Sequence, residues 1–274
     1  MKVPPPATGV HRTAWRHGRA LAGQRTIPEE VPVALTYNRV TFAVMLASPS
    51  DLEDFAVGFS LAQGIVQRAG EIDELTVVPT AQGIELRMWL SAERDGAMTA
   101  RRRYMAGPTG CGLCGIDSLT EALPDPRRVA STASFTTEEI AAAMASLPGA
   151  QVLNRETRAV HAAGFWTPGR GLVALREDVG RHNALDKLAG AMARAGVAAD
   201  GGMLLLTSRV SVELIQKAAI MGAPVLVAIS SPTALAVRQA EIAGITLIGI
   251  ARDDGFEVFT GGERVASGAV RHVA

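Results

Sequence analysis

Residues 203–250 read MLLLTSRVSVELIQKAAIMGAPVLVAISSPTALAVRQAEIAGITLIGI, and the rhythm of this stretch decides the fold class. Three apolar runs, 203–206, 225–229 and 246–250, are strand-sized. Between them, 212–221 and 233–243 repeat apolar residues at helical spacing. A fourth run at 172–175, followed by a helical pattern at 183–194, extends the alternation upstream. Strands alternating with helices bury their apolar faces as layers, so the spacing predicts an α/β fold whose larger C-terminal domain covers residues 131–274. Thr136 and Glu139 match a capping box that opens an Ala-rich helix, with Pro148-Gly149 read as its end.

Upstream the pattern changes. The Val-, Thr- and Phe-rich stretch 31–47 around Asn38-Arg39 reads as a β-hairpin, and 75–90 as a second one turning near Gln82-Gly83. Between them, Leu52, Phe55, Ala56, Phe59 and Ala62 mark one face of a helix, with Ser50 and Glu53 as its expected capping box. These elements define a smaller N-terminal α+β domain over 26–130, ending in a cysteine-bearing loop. Residues 1–25 carry Pro4, Pro5, Pro6 and five basic residues with no acid and no amphipathic period. They read as a mobile basic arm.

Lys plus Arg equals Asp plus Glu at 27 each, so no whole-chain field draws the protein to nucleic acid or an anionic membrane. No apolar run is long enough to span a bilayer and none follows Met1-Lys2 as a signal core, which places the chain in the cytoplasm. The chain contains two cysteines. They stand in Gly110-Cys111-Gly112-Leu113-Cys114-Gly115, where glycines describe an irregular loop rather than a packed strand. Thiols ahead of a helix start at Ser118 would be pushed towards thiolate, the form that attacks disulfides and persulfides. No histidine lies at zinc-finger spacing from the pair. A zinc deaminase is excluded on chemistry, because no upstream histidine is followed by the glutamate that must move the proton. A dithiol oxidoreductase remains an alternative use of the pair.

A second constellation follows the expected strands. Segments 176–183, 207–211, 230–233 and 251–255 all begin where a strand ends, the edge at which open α/β sheets collect ligands. Ser208, Arg209, Ser230, Thr233 and the stretch Ile250, Ala251, Arg252, Asp253, Asp254, Gly255 bring hydroxyls, backbone N–H groups and guanidiniums suited to phosphate. No nicotinamide or nucleoside-triphosphate fingerprint is present. His161, set among alanines, reads as a structural histidine.

Together CGLCG, EDVGRHNALDK (177–187), SRVSVELIQKAA (208–219) and SSPTALAV (230–237), in that order, resemble the formate dehydrogenase accessory sulfurtransferase family, FdhD. The resemblance runs from about residue 28 to 260. It implies a cytidine deaminase-like larger domain and a persulfide on Cys111, with Cys114 relaying or releasing the sulfur. The sulfur would pass from a cysteine desulfurase to the molybdenum bis-molybdopterin guanine dinucleotide of formate dehydrogenase, held by residues 250–255. A cofactor-carrying chaperone without sulfur chemistry is the other reading. The expected assembly is a homodimer, with no metal site, nucleic acid or membrane partner. Three positions depart from the family pattern: Ser208 and Arg158 stand where glycine is usual, and Gln63 where glutamate is.

Overall fold

The computed structural model describes residues 1–91 and 126–266. The chain opens with a hairpin of β1 (Ala7–Arg16) and β2 (Arg19–Pro28). A second hairpin, β3 (Val31–Tyr37) and β4 (Val40–Ala47), turns through Asn38 and Arg39, both at positive φ, as a two-residue turn matched to strand twist requires. Helix α1 (Leu52–Ala62) follows, then the hairpin β5 (Ile72–Pro79) and β6 (Ile84–Leu90). These strands pair as one sheet in the order β4-β3-β6-β5. Its inner face, Val33, Leu35, Leu86 and Met88, packs on Phe55, Ala56 and Phe59 of α1.

After the short strand β7 (Phe135–Thr136) come α2 (Thr137–Ala145), α3 (Leu147–Ala150) and α4 (Val152–Thr157). The chain continues through β8 (His161–Thr167), β9 (Gly171–Asp178), α5 (Arg181–Arg194), β10 (Met203–Leu206), α6 (Val212–Met221), β11 (Val225–Ala228) and α7 (Ala234–Ala243). It ends in β12 (Thr246–Arg252), β13 (Gly255–Thr260) and β14 (Val265–Ala266), the last paired with β7. Six strands form one mixed sheet, β13-β12-β11-β10-β8-β9. Strands β10, β11 and β12 are parallel; β8 runs against both β10 and β9, so β9 points the same way as β10. Leu204, Leu206 and Leu226 face α5, α6 and α7, whereas Met203, Leu205 and Val227 face α2 and α3. Strands buried on both faces read as unbroken apolar runs, which is why 203–206 and 225–228 were legible.

Three local expectations are corrected. Residues 1–25 are not a structureless arm, because Ala7–Arg16 pairs with Arg19–Pro28 in full register. Most side chains on both faces of that hairpin are exposed, so burial imposes no alternation for a sequence reading to find. The Ser50–Glu53 capping box does not form: Asp51, at φ 50°, occupies the cap position, and Glu53 pairs with Arg194 of α5 instead. The Ala-rich helix stops at Ala145, and Pro148 opens the next short helix, where its missing N–H costs nothing. Asp178 is buried and ion-paired with Lys187. The Thr136–Glu139 box forms as read, each side chain accepting the other residue's N–H.

The helices α1 and α5 cross at two glycines. A β-carbon on Gly58 would overlap the carbonyl oxygen of Asp186, and one on Gly190 that of Asp54. Gly190→Ala is therefore expected to lower stability by about 2 kcal/mol or more, measured by urea unfolding, since a rigid backbone cannot yield as a side chain can. Arg158 ends α4 at φ 55°, a left-handed conformation that favours glycine. Arg158→Gly should raise stability by about 0.5–1 kcal/mol in the same assay.

Candidate functional site

The ends of β9, β10, β11 and β12 and the start of β8 lie on one edge of the large sheet, and three of the connections there are tied together by their backbones. Val210 N donates to Ser231 O (3.4 Å), Thr233 N to Val210 O (2.9 Å) and Ile250 N to Ser230 O (3.4 Å). The segments after β10, β11 and β12 thus converge as expected.

The individual side chains divide into two groups. Ser208 is buried and its hydroxyl donates to Arg209 O at 2.9 Å; that of Thr233 caps α7 by accepting from Ala236 N at 3.2 Å. Arg209, Arg252, Asp253, Asp254 and Gly255 are exposed, while Ala251 is buried. The stretch 250–255 is also not a connection into a helix. Strand β12 continues to Arg252, which pairs with Gly255 across a tight turn, and Ile250 bends the strand at φ 52°. This bend and the Ile250–Ser230 hydrogen bond hold the β12–β13 turn beside the β11 end. Cys111 and Cys114 lie outside the described residues.

The motif 177–187 builds the other half of the edge. Glu177 accepts the first N–H groups of α4, from Leu153 and Asn154, each at 2.8 Å. Asp178 accepts from Gly180 N (2.7 Å), Asn183 Nδ2 (3.0 Å) and Ser48 N (2.9 Å), and Lys187 Nζ lies 2.6 Å from it. Such anchoring aims the start of α5, so that Arg181 and His182 face the starts of β8 and α6. His182 Nε2 lies 3.4 Å from Ser211 Oγ and 3.9 Å from Glu213 Oε2. Burial, then the nearby Arg181 and Lys217 charges, push the His182 pKa down to about 4. The His161 pKa is also lowered, first by burial and then by Arg181. Both imidazoles are therefore held towards the neutral form first by burial and then by the neighbouring positive charges.

His161, Arg181, His182 and Glu213 were not singled out as site residues. The signal for His161 was hidden because β8, HAAGFWT, is buried on both faces and shows no alternation. Arg181 and His182 stood at a helix start directly after a strand, a position that was readable.

The family model described as the FdhD/NarQ family matches residues 28–266. The chain belongs to the FdhD/NarQ family. The sulfur carrier protein FdhD of Agrobacterium fabrum is 54% identical over 259 residues, covering 93% of this chain and 95% of the relative. That of Cupriavidus necator is 47% identical, over 96% and 91% respectively. The crystal structure of a proposed formate dehydrogenase accessory protein from Desulfotalea psychrophila superposes with a TM-score of 0.75 at 25% identity, covering 96% of this chain and all of that one. No helix among the described residues of this FdhD/NarQ member is long and apolar enough to cross a membrane.

The depressed His182 pKa has a measurable consequence. Between the ordinary value of 6.5 and about 4 the unfolded chain takes up a proton that the folded chain refuses. The contribution of this group is thus full above pH 6.5 and is lost as pH falls towards 4. The loss of urea stability between pH 7 and pH 5 should be smaller in His182→Gln than in the unsubstituted chain. An identical loss in both would show that the imidazole is not kept neutral by its surroundings.

Proposed function

We propose that this chain is a sulfur carrier that takes persulfide sulfur from a cysteine desulfurase and delivers it to the molybdenum bis-molybdopterin guanine dinucleotide required by formate dehydrogenase. One observation carries the reading: the match to relatives named sulfur carrier protein FdhD extends over nearly the whole of both chains, and this chain has two thiols on which sulfur could travel. Those thiols are Cys111 and Cys114.

In this reading the Cys111 thiolate attacks the terminal sulfur of the desulfurase persulfide. The sulfur–sulfur bond of the donor breaks, its cysteine leaves as thiolate, and Cys111 holds the transferred sulfur. Cys114 then relays that sulfur, or its thiolate attacks the inner sulfur of the Cys111 persulfide, so that a disulfide closes and the outer sulfur leaves as hydrosulfide. Arg209 and Arg252 hold the nucleotide phosphates of the cofactor, aided by Ser230 and the backbone of 250–255. The chemistry of the donors supports this fit, since both guanidiniums are exposed beside the converged segments and can engage phosphate at two points. Ser208 and Thr233 belong to the site through their backbone positions rather than their hydroxyls, which are already engaged.

The same reading assigns 26–130 as the sulfur-bearing unit and 131–274 as the cofactor-binding unit, the latter cytidine deaminase-like. Separate apolar clusters on the small and large sheets and the strand order β9-β8-β10-β11-β12 support it. A cytoplasmic homodimer completes the proposal.

Incubated with a cysteine desulfurase and cysteine, the protein should gain a reductant-labile 32-dalton (~) adduct, one sulfur atom, that peptide mapping places on Cys111. Cys114→Ala should still gain it. Cys111→Ala should not, and should fail to activate formate dehydrogenase while still binding guanine nucleotide. Full activation by Cys111→Ala would remove sulfur transfer and leave a cofactor-carrying chaperone; a disulfide without any persulfide would indicate a thiol oxidoreductase.

A further inference from the structure

The β1–β2 hairpin stands as an uncovered ribbon, and strands of ten residues make it about 34 Å long. Its base is rooted on the body: Glu29 N donates to Pro6 O at 2.9 Å, and Arg25 donates to Thr157 O of α4 at 3.4 Å. Beyond the base, no other strand among the described residues pairs with either edge. From His11 to Ala22 every residue except Ala14 is exposed, with Trp15 at 74% and Leu21 at 53%. A two-stranded hairpin by itself is marginal in water, so a ribbon carrying an indole and a leucine in open solvent asks for a surface to lie on.

Charge says what that surface is. Residues directly opposite each other share a face of the ribbon, so the pairs Val10–Arg25, Arg12–Gly23, Ala14–Leu21 and Arg16–Arg19 collect all four of its arginines on one face, together with Leu21. Trp15 stands on the other face with Ala20 and Ala22. Residues 1–28 hold five of the chain's 27 basic residues and none of its 27 acids, which leaves the remaining chain with five more acids than bases. Among the described residues every ion pair lies outside the ribbon.

We infer that the ribbon lies on the body of a second copy of this chain, its guanidiniums against carboxylates of that copy's 29–274 region and Trp15 and Leu21 buried in the contact. A second copy fits better than another polyanion because the opposite charge, in equal amount, is carried by the same polypeptide outside the ribbon. Around a two-fold axis the contact forms twice, each copy giving one ribbon and receiving one, which closes the assembly. Arginine and tryptophan are also the side chains that most often dominate interface energies. The inference rests on the homodimer of the proposed function, to which it gives a contact surface, and is independent of the sulfur chemistry.

Sedimentation equilibrium of the full chain tests the ribbon. The unsubstituted protein should be a dimer whose Kd rises with ionic strength. Arg12→Glu, Arg16→Glu and Arg19→Glu together should raise that Kd roughly 100-fold and abolish its rise with ionic strength. Trp15→Ser should raise it roughly 10-fold and leave the salt dependence as it was. In the unsubstituted protein, amide hydrogen exchange over 7–28 should be slower in the dimer than in the monomer obtained by dilution, a difference that does not depend on any variant folding. A dimer of unchanged Kd in both variants, with equal exchange in dimer and monomer, would overturn the ribbon contact and leave a homodimer built on another surface. Binding of nucleic acid or anionic vesicles that the arginine variant loses, with its dimer unaffected, would overturn it in favour of that partner. A monomer at every concentration would overturn the ribbon contact and the homodimer together, while persulfide formation on Cys111 is read separately.

Discussion

The buried pair of Asp178 and Lys187 is the constraint on which the rest of the structure depends. Both side chains are fully shielded from water. Removing two charges from solvent costs several kcal/mol for each ion, and the attraction offsets this only when the remaining lone pairs and protons are also satisfied. Here they are, and by two separate parts of the chain. Gly180 and Asn183 come from the start of α5, while Ser48, at the end of β4, donates its N–H to Asp178 and accepts Lys187 Nζ at 2.9 Å. A misplacement of any of them would leave a charge uncompensated. The pair therefore specifies how β9, α5 and the β4 end meet, more than it adds to net stability.

Around this centre the small sheet is held to the large one at closest backbone range. Gly58 and Gly190 allow α1 and α5 to touch main chain to main chain. The buried Asp54 of α1 is clasped by Arg176 of β9 and Arg194 of α5, at 2.7 and 2.6 Å. A second acid at the crossing, Asp186, has its pKa raised by burial and is met by Lys217 of α6. Each buried carboxylate at the crossing thus meets a cation from a neighbouring element.

The consequence for function lies in what this anchoring aims. With α5 pinned through Asp178, Asn183 and Lys187, its first residues Arg181 and His182 must face the ends of the parallel strands, beside Arg209 and the start of α6. A chain with no net charge thus gathers Arg181, Arg209 and Lys217 about one edge, where their charges add to the burial that holds both imidazoles towards neutrality. In the function proposed above, this edge takes the nucleotide phosphates and the sulfur travels on a glycine-rich segment elsewhere in the chain.

Sequence alone determined the parts of this protein whose signal is local. The apolar runs 203–206, 225–229 and 246–250 and the helices between them were legible from continuous apolar stretches and helical spacing. The Asn38-Arg39 and Gln82-Gly83 turns follow from turn chemistry, and the cysteine pair and the motif 177–187 from their order along the chain. What only the tertiary structure decided depends on contacts between distant residues. The hairpin 7–28 is exposed on most of both faces and β8 is buried on both, so neither carries the one-sided alternation that marks a strand. Asp178 reads in sequence as a surface acid beside Arg181, and becomes a buried partner of Lys187 because Ser48, 130 residues earlier, closes over it. The approach of His182 to Glu213 likewise required the strand order β10-β8-β9, since adjacency in a sheet is set by packing and not by spacing along the chain.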